Sequence, residues 1–322
     1  YKRAEYSLKS SISGKRLKIS SNKNELKIFN DKLDVVFDNV LGTLKTYNFN
    51  GIDFIHSSPY TNFWRAPIDN DYGNNLPVRS NEWKIASNKR DFHKIEIKRK
   101  SANEVQVVVH YKLSNINSLN KIVYTFNSKG VMNIKNDFTY GGNLKDAPMP
   151  RFGMNFTIPK NLENVTWYGR GPHENYIDRK SSAFVGIYES SIDDLGFEYS
   201  RPQENGYRTD VRWFNVLNED NYGFAIFGDP LISFSAHYNT IEDFDDGLMP
   251  QKPGENLGSR KRIVKKQRKP VDLVKRDFIS LNVDLKQMGV GGDNSWGART
   301  LKKYTIYPGN YSYQFTVKPI SF

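Results

Sequence analysis

A chain of 322 residues that is 38% hydrophobic and 14% aromatic has enough large apolar side chains to bury a core, which removes it from the disordered class. It contains no cysteine, so disulfides, thiolate metal sites and a cysteine nucleophile are excluded together. The net charge is +12, but Ser259–Arg276 carries nine Lys or Arg against one Asp and so supplies +8 of it; basicity this local reads as a solvated loop rather than a nucleic-acid surface.

Taken in chain order, Tyr1 to about Asn30 is rich in Ser, Lys and Asn and poor in strand signal. It is expected to be a linker over residues 1–30, entering one domain over residues 31–322. The first residue is Tyr, and no charged start followed by an apolar core opens the chain, so the start reads as a boundary or processed end. Strands are expected at Leu33–Phe37, Ile95–Lys98, Glu104–Tyr111, Lys121–Phe126, Val131–Phe138, Phe278–Val283 and Tyr311–Val317. Each has the length and the Val, Ile, Tyr and Phe content of a strand, and several alternate with a period of two. Asn127-Ser-Lys-Gly130 suits a hairpin turn, as do Asn50-Gly51 and Pro308-Gly-Asn310, because Gly and Asn tolerate positive φ and Pro pre-sets a turn φ. The only helix expected is a short one near Thr240–Phe244. The fold class is therefore all-β, a large sandwich of two antiparallel sheets with less than about a tenth helix. No apolar run approaches the roughly 18 residues of a bilayer span, so no membrane partner is expected.

Four segments are too polar and turn-rich for ordinary core strands: Asn62-Phe-Trp-Arg-Ala-Pro-Ile-Asp-Asn-Asp-Tyr-Gly73, Gly169-Arg-Gly-Pro-His-Glu-Asn-Tyr-Ile-Asp-Arg179, Arg201-Pro-Gln-Glu-Asn-Gly-Tyr-Arg208 and Met288-Gly-Val-Gly-Gly-Asp-Asn-Ser-Trp-Gly297. Two readings stay open. Flat rings beside carboxylates, amides and arginines suit a sugar site, where apolar faces cover C–H groups and planar polar groups meet hydroxyls. The same residues also build buried turns, with Arg65, Arg170, Arg179 and Arg212 paired to Asp69, Glu174, Asp178 or Glu204. The five histidines, at 56, 93, 110, 173 and 237, show no metal-ligand spacing.

In this order, the four segments resemble the small-chain or C-terminal domain of the large bacterial β-galactosidases of glycoside hydrolase family 2, over roughly Lys32–Phe322. The resemblance implies a β-supersandwich like that of galactose mutarotase, forming the last domain of an oligomeric enzyme or a separate small subunit. It implies hydrolysis of terminal β-D-galactosides by the whole protein. A retaining glycosidase needs two carboxyl groups about 5–5.5 Å apart; in the family both are glutamates of a (β/α)8 barrel, which this chain lacks. No catalytic residue is therefore assigned here, and Glu174, Glu204 and His173 are expected to be structural. The residue carried into the active site is Trp296, whose counterpart stacks on the aglycone or on the glucose of lactose, with Asn294 and Asp293 shaping its loop. No cofactor is expected in this domain; the family's Mg and Na ions belong to other domains. Expected partners are the barrel and remaining domains, a β-galactoside and further copies of the full enzyme. The expected source is bacterial, and a cysteine-free chain suits cytoplasm or periplasm equally.

Three other functions compete. A free-standing aldose epimerase of this fold would need two convergent histidines and a glutamate in one cleft. A non-catalytic sugar-binding module would need only the aromatic and polar surface. Nucleic-acid binding through Arg260–Arg276 lacks interleaved aromatics for base stacking.

Overall fold

The computed structural model describes residues 15–245, 269–291, 294 and 297–320. A first sheet of five antiparallel strands runs in sequence order, β1 (Lys18–Ser21), β2 (Glu25–Phe29), β3 (Leu33–Asp38), β4 (Leu44–Phe49) and β5 (Ile52–Asp53). The Asn50-Gly51 turn joins β4 to β5 with φ of +54° and +82°, as those residue types allow. After β6 (Tyr60–Asn62) come three short helices, α1 (Asp69–Gly73), α2 (Leu76–Arg79) and α3 (Asn81–Asn88). A meander follows: β7 (Asp91–Ser101), β8 (Glu104–Leu113), β9 (Ser118–Asn127) and β10 (Met132–Thr139). The remaining elements are β11 (Arg151–Pro159), β12 (Asn164–Gly171), β13 (Phe184–Ser191), α4 (Ile192–Leu195), β14 (Arg208–Leu217), β15 (Gly223–His237), α5 (Ile241–Phe244), β16 (Phe278–Gln287) and β17 (Tyr311–Ile320).

Twelve of these strands form one antiparallel sheet whose main path is β13-β12-β14-β15-β17-β10-β9-β8-β7. It branches at β15, which pairs with β17 over Gly223–Asp229 and with β16 over Ser233–His237. Beyond β16 the branch continues through β11 to β6. Alternation sets the faces: in β8, Val105, Val107, Val109, Tyr111 and Leu113 point inward while their neighbours stay partly or fully exposed, the period-two signature of a half-buried strand. The first sheet packs on the second through rings, with Phe37 against Tyr124 and Phe126 at 5.2 and 6.0 Å and Tyr47 against Phe126 at 6.1 Å. One large apolar cluster runs through both sheets, and a second, small one of Tyr176, Tyr207 and Val290 lies beside the polar segments.

The all-β, antiparallel class stands as expected, and so does the helix near Thr240, which is α5. Three expectations need correction. Residues from Leu17 onward belong to the folded body, since β1 and β2 complete the first sheet and Leu17, Leu26 and Ile28 are buried; the expected linker over 1–30 extends too far. Helices α1 to α3 and α4 were not expected, because none is long enough to show an apolar stripe: α3 buries only Trp83, Ala86 and Ser87. Pro308-Gly-Asn310 leads into β17 from a short 3-10 turn at Lys302–Tyr304 and does not join two strands.

Candidate functional site

Three of the four polar segments meet at the root of the Met288–Gly297 segment. Arg65, 1% exposed, donates from Nη1 to the Met288 carbonyl (2.7 Å) and from Nη2 to the Gly289 carbonyl (3.1 Å). Its charge is met by Asp71 of α1, Nη2 to Oδ2 at 3.0 Å. Asp71 also accepts from the Ile68 amide at 3.1 Å, so one carboxylate both starts the helix and neutralises the arginine. Burial raises the Asp71 carboxyl pKa above its ordinary value, and Arg65 opposes the shift. Asp178 receives the Val290 and Gly291 amides at 3.1 and 2.7 Å. At the far end the Gly297 amide donates to Asn70 Oδ1 of α1 at 3.3 Å. Beside this limb lies a cleft of about 450 Å³, floored by Leu76, Pro148 and Met288 and rimmed by Arg79, Arg299 and Tyr307. Arg299 grips Asp146 on its rim with two bonds, at 2.7 and 3.0 Å.

The fourth segment, Arg201–Arg208, fastens the same region from behind. Arg201 lies 4.5 Å from the Tyr72 ring centroid and pairs with Asp69 at 3.3 Å. Glu204 is held by Arg151 Nη2 at 2.8 Å, and Arg151 Nη1 lies 3.3 Å from Asp284 Oδ2. Arg151 and Asp284 are fully buried. They belong to the polar face of the β11–β16 branch, where Asn155 donates to Asn282 (3.0 Å) and Asn282 to Ser235 (3.1 Å). Burial pushes the Asp284 carboxyl up to about 7 even with Arg151 beside it.

The carboxylates and bases of these segments have the following partners. Glu204 is consumed by a buried ion pair. Glu174 accepts from the Gly206 amide at 2.7 Å and from the Tyr199 and Tyr176 hydroxyls. Arg170 pairs with Asp210 at 2.5 Å. His173 is exposed and bonded to Ser182 at 3.0 Å. Asn294 is exposed on a bend, whereas Trp296 and Asp293 lie outside the described residues, as do residues 259–268 of the basic run. Within the rest of that run, Lys275 pairs with Asp193 at 2.7 Å and Arg276 pairs with Asp243. Among the described residues no group of three or more His, Asp or Glu is placed to hold a metal ion. Sequence reasoning missed Arg151, Asp284 and Asp71. The available signal was a single charge inside an apolar strand, Arg151 before Phe-Gly-Met and Asp284 after Leu-Asn-Val, since such charges are buried only when paired.

His237 yields a pH prediction. Its Nε2–H donates to the Asn205 carbonyl at 3.0 Å, and burial lowers its pKa to about 4. A base whose folded pKa is depressed stabilises the fold fully above its unfolded value of about 6.5, and that contribution is lost as pH falls toward the folded value. The expected loss is up to about 3 kcal/mol between pH 6.5 and 4. Asp284 titrates in the opposite sense, so the measurement is a comparison: urea midpoints of wild type and His237→Gln should converge on acidification. Parallel pH profiles for the two would contradict the assignment.

Comparison with known proteins adds the following. Residues 29–317 match the family described as Beta galactosidase small chain. The Beta-galactosidase of Priestia megaterium is 33% identical over 305 residues, 94% of this chain and 27% of that protein. That of Pseudoalteromonas haloplanktis is 29% identical over 317 residues, 94% of this chain and 27% of that protein. The chain thus spans about a quarter of the length of these bacterial relatives. A solved galactose 1-epimerase from Lactobacillus acidophilus NCFM aligns at TM-score 0.46 and 11% identity, covering 94% of this chain and 98% of the other.

Proposed function

Because the chain belongs to the β-galactosidase small-chain family, we propose that it serves as one domain of a β-galactosidase acting on terminal non-reducing β-D-galactosides such as lactose. The catalytic carboxylates come from the remaining three-quarters of the protein. This domain forms the acceptor side of the pocket through Trp296, with Asn294 and Asp293 in the same loop, and contributes to the oligomer. The observation that supports this reading is the convergence of Arg65, Asp71, Asp178 and Asn70 on the two ends of the Met288–Gly297 segment. Four buried or half-buried polar groups spent on one loop root make sense when the loop must be presented in a fixed place. The second support is negative for chemistry within the chain: Glu174 and Glu204 are both engaged by local donors, which suits structure better than acid–base work.

An indole stacked on a sugar face contributes on the order of 1 kcal/mol beyond plain burial. In the full-length enzyme Trp296→Ala is therefore expected to weaken lactose and free-glucose binding by about tenfold or less, with a smaller effect on galactose. Inhibition constants for glucose and galactose check this. Unchanged glucose inhibition would remove the acceptor role.

A further inference from the structure

We propose that the outer edge of β13 is a docking edge, taken up in the full-length protein by an apolar, extended segment from the remaining part of the same polypeptide. The inference rests on the reading that this chain is one domain of a longer β-galactosidase, and it makes no use of the Met288–Gly297 segment. Among the described residues the branched sheet has three ends, β13, β7 and β6, and two of them are guarded. β7 carries Lys94, Lys98, Arg99 and Lys100, and its pairing with β8 shifts register between Phe92 and Lys94 and again between Arg99 and Ser101. β6 is only three residues long. Charges, bulges and brevity are the devices that keep an exposed edge from pairing with another strand.

β13 has none of them. Its eight residues, Phe184-Val-Gly-Ile-Tyr-Glu-Ser-Ser191, hold one charge, Glu189, and they pair with β12 from Gly171↔Phe184 to Asn164↔Ser191 without a register shift. Phe184 is 74% exposed. Successive side chains of a strand point to opposite faces, so Phe184 lies on one face and Val185 and Ile187, also exposed, on the other. On the Ile187 face the apolar surface continues inward as a row in register: Ile187 opposite Tyr168 of β12, Tyr168 opposite Trp213 of β14, and Trp213 opposite Phe227 of β15. The Tyr168 and Trp213 ring centroids are 6.5 Å apart. None of these four side chains is buried, whereas their neighbours Trp167, Phe214 and Ile226 face the core. A regular, nearly uncharged edge with apolar side chains on both faces suits strand addition, in which the backbone supplies affinity and flanking side chains supply fit.

The occupant is assigned to the same polypeptide on two grounds. The chain spans only 27% of the Priestia megaterium relative, so most of a protein of that length lies outside this domain and is available to pack on it. One eight-residue strand is also a small contact beside the about 20–30 residues a side of a stable interface between free proteins. A tethered segment is held at high local concentration and avoids most of the translational cost of association, so a narrow edge suffices for it.

Amide hydrogen exchange, read on peptides covering residues 184–191, tests this in the full-length enzyme and in the purified 322-residue chain. Exchange there is expected to be at least about tenfold slower in the full-length enzyme, because the edge amides gain acceptors and leave solvent. Ile187→Lys in the full-length enzyme should return exchange to the rate of the chain, while Ile97→Lys on the guarded β7 edge should leave it unchanged. Both side chains are exposed, at 66% and 40%, so both variants keep the fold. Equal exchange in enzyme and chain would overturn the proposal. So would slow exchange in the chain itself, seen at every concentration if its own residues cover the edge and only at high concentration if a second copy does. Slow exchange in the assembled enzyme that turns fast in its dissociated, folded subunit would give the edge to a neighbouring subunit and overturn the tethered occupant. Absence of β-galactoside turnover by the full-length enzyme would overturn the reading of the domain and leave the edge to be judged by exchange.

Discussion

Replacing Arg151 by methionine is expected to lower the unfolding free energy of the chain by about 3–5 kcal/mol, because it strands buried carboxylates without their counter-charge. Both Asp284 and Glu204 depend on this guanidinium, at 3.3 and 2.8 Å, and their side chains are 0% and 6% exposed. Gln287 also loses its donor, at 2.6 Å. Burial already pushes Asp284 up to about 7 with the arginine present, and without it the carboxyl should take up a proton at still higher pH. An acid whose folded pKa is raised above its unfolded value loses stability as pH climbs from the unfolded value through the folded one. The Arg151→Met penalty should therefore be larger at pH 8 than at pH 5. Adding Asp284→Asn or Glu204→Gln, each separately to Arg151→Met, removes one stranded charge and should return part of the loss. Urea denaturation of the four proteins at the two pH values measures all of this. A penalty below about 1 kcal/mol, well under that for an unpaired buried charge, would mean that the cluster is solvated and the described burial is wrong.

Strand order within the meander was legible because β8 to β10 alternate cleanly and are joined by short turns, whereas β7 buries no residue and carries no such alternation. Their partners across the branch, β11 and β16, were harder to read in full: both are buried on two faces, so Arg151, Asn155, Asn282 and Asp284 interrupt the apolar run without giving alternation to solvent. The helices at residues 69–88 were hidden by brevity and by a turn-rich composition that describes the same stretch equally well. For the site, residue types alone left sugar binding and structural turns undecided. The partners in the fold differ from residue to residue. Glu204 and Arg170 are spent in ion pairs, while Asp178 and Arg65 are aimed at one loop. No spacing rule could have linked Asp178 to Gly291, since 112 or 113 residues separate Asp178 from the amides it receives.

The larger functional expectation is that the chain alone has no glycosidase activity. General acid or base assistance contributes about 10²–10⁴-fold each, and a retaining mechanism needs two carboxyl groups, one kept protonated, flanking the bond. Glu174 accepts from an amide and two hydroxyls and Glu204 is salt-bridged, so neither is placed to exchange protons with a glycoside. Losing both functions forfeits at least several orders of magnitude in rate. The most direct measurement is turnover of a chromogenic β-galactoside by the purified 322-residue chain, followed by the same assay on the full-length enzyme. No turnover above the uncatalysed rate is expected for the chain alone, and robust turnover that survives Glu174→Gln is expected for the whole protein. Turnover by the chain alone that disappears in Glu174→Gln or Glu204→Gln would contradict it, and interconversion of α- and β-galactose by the chain would point to an epimerase instead.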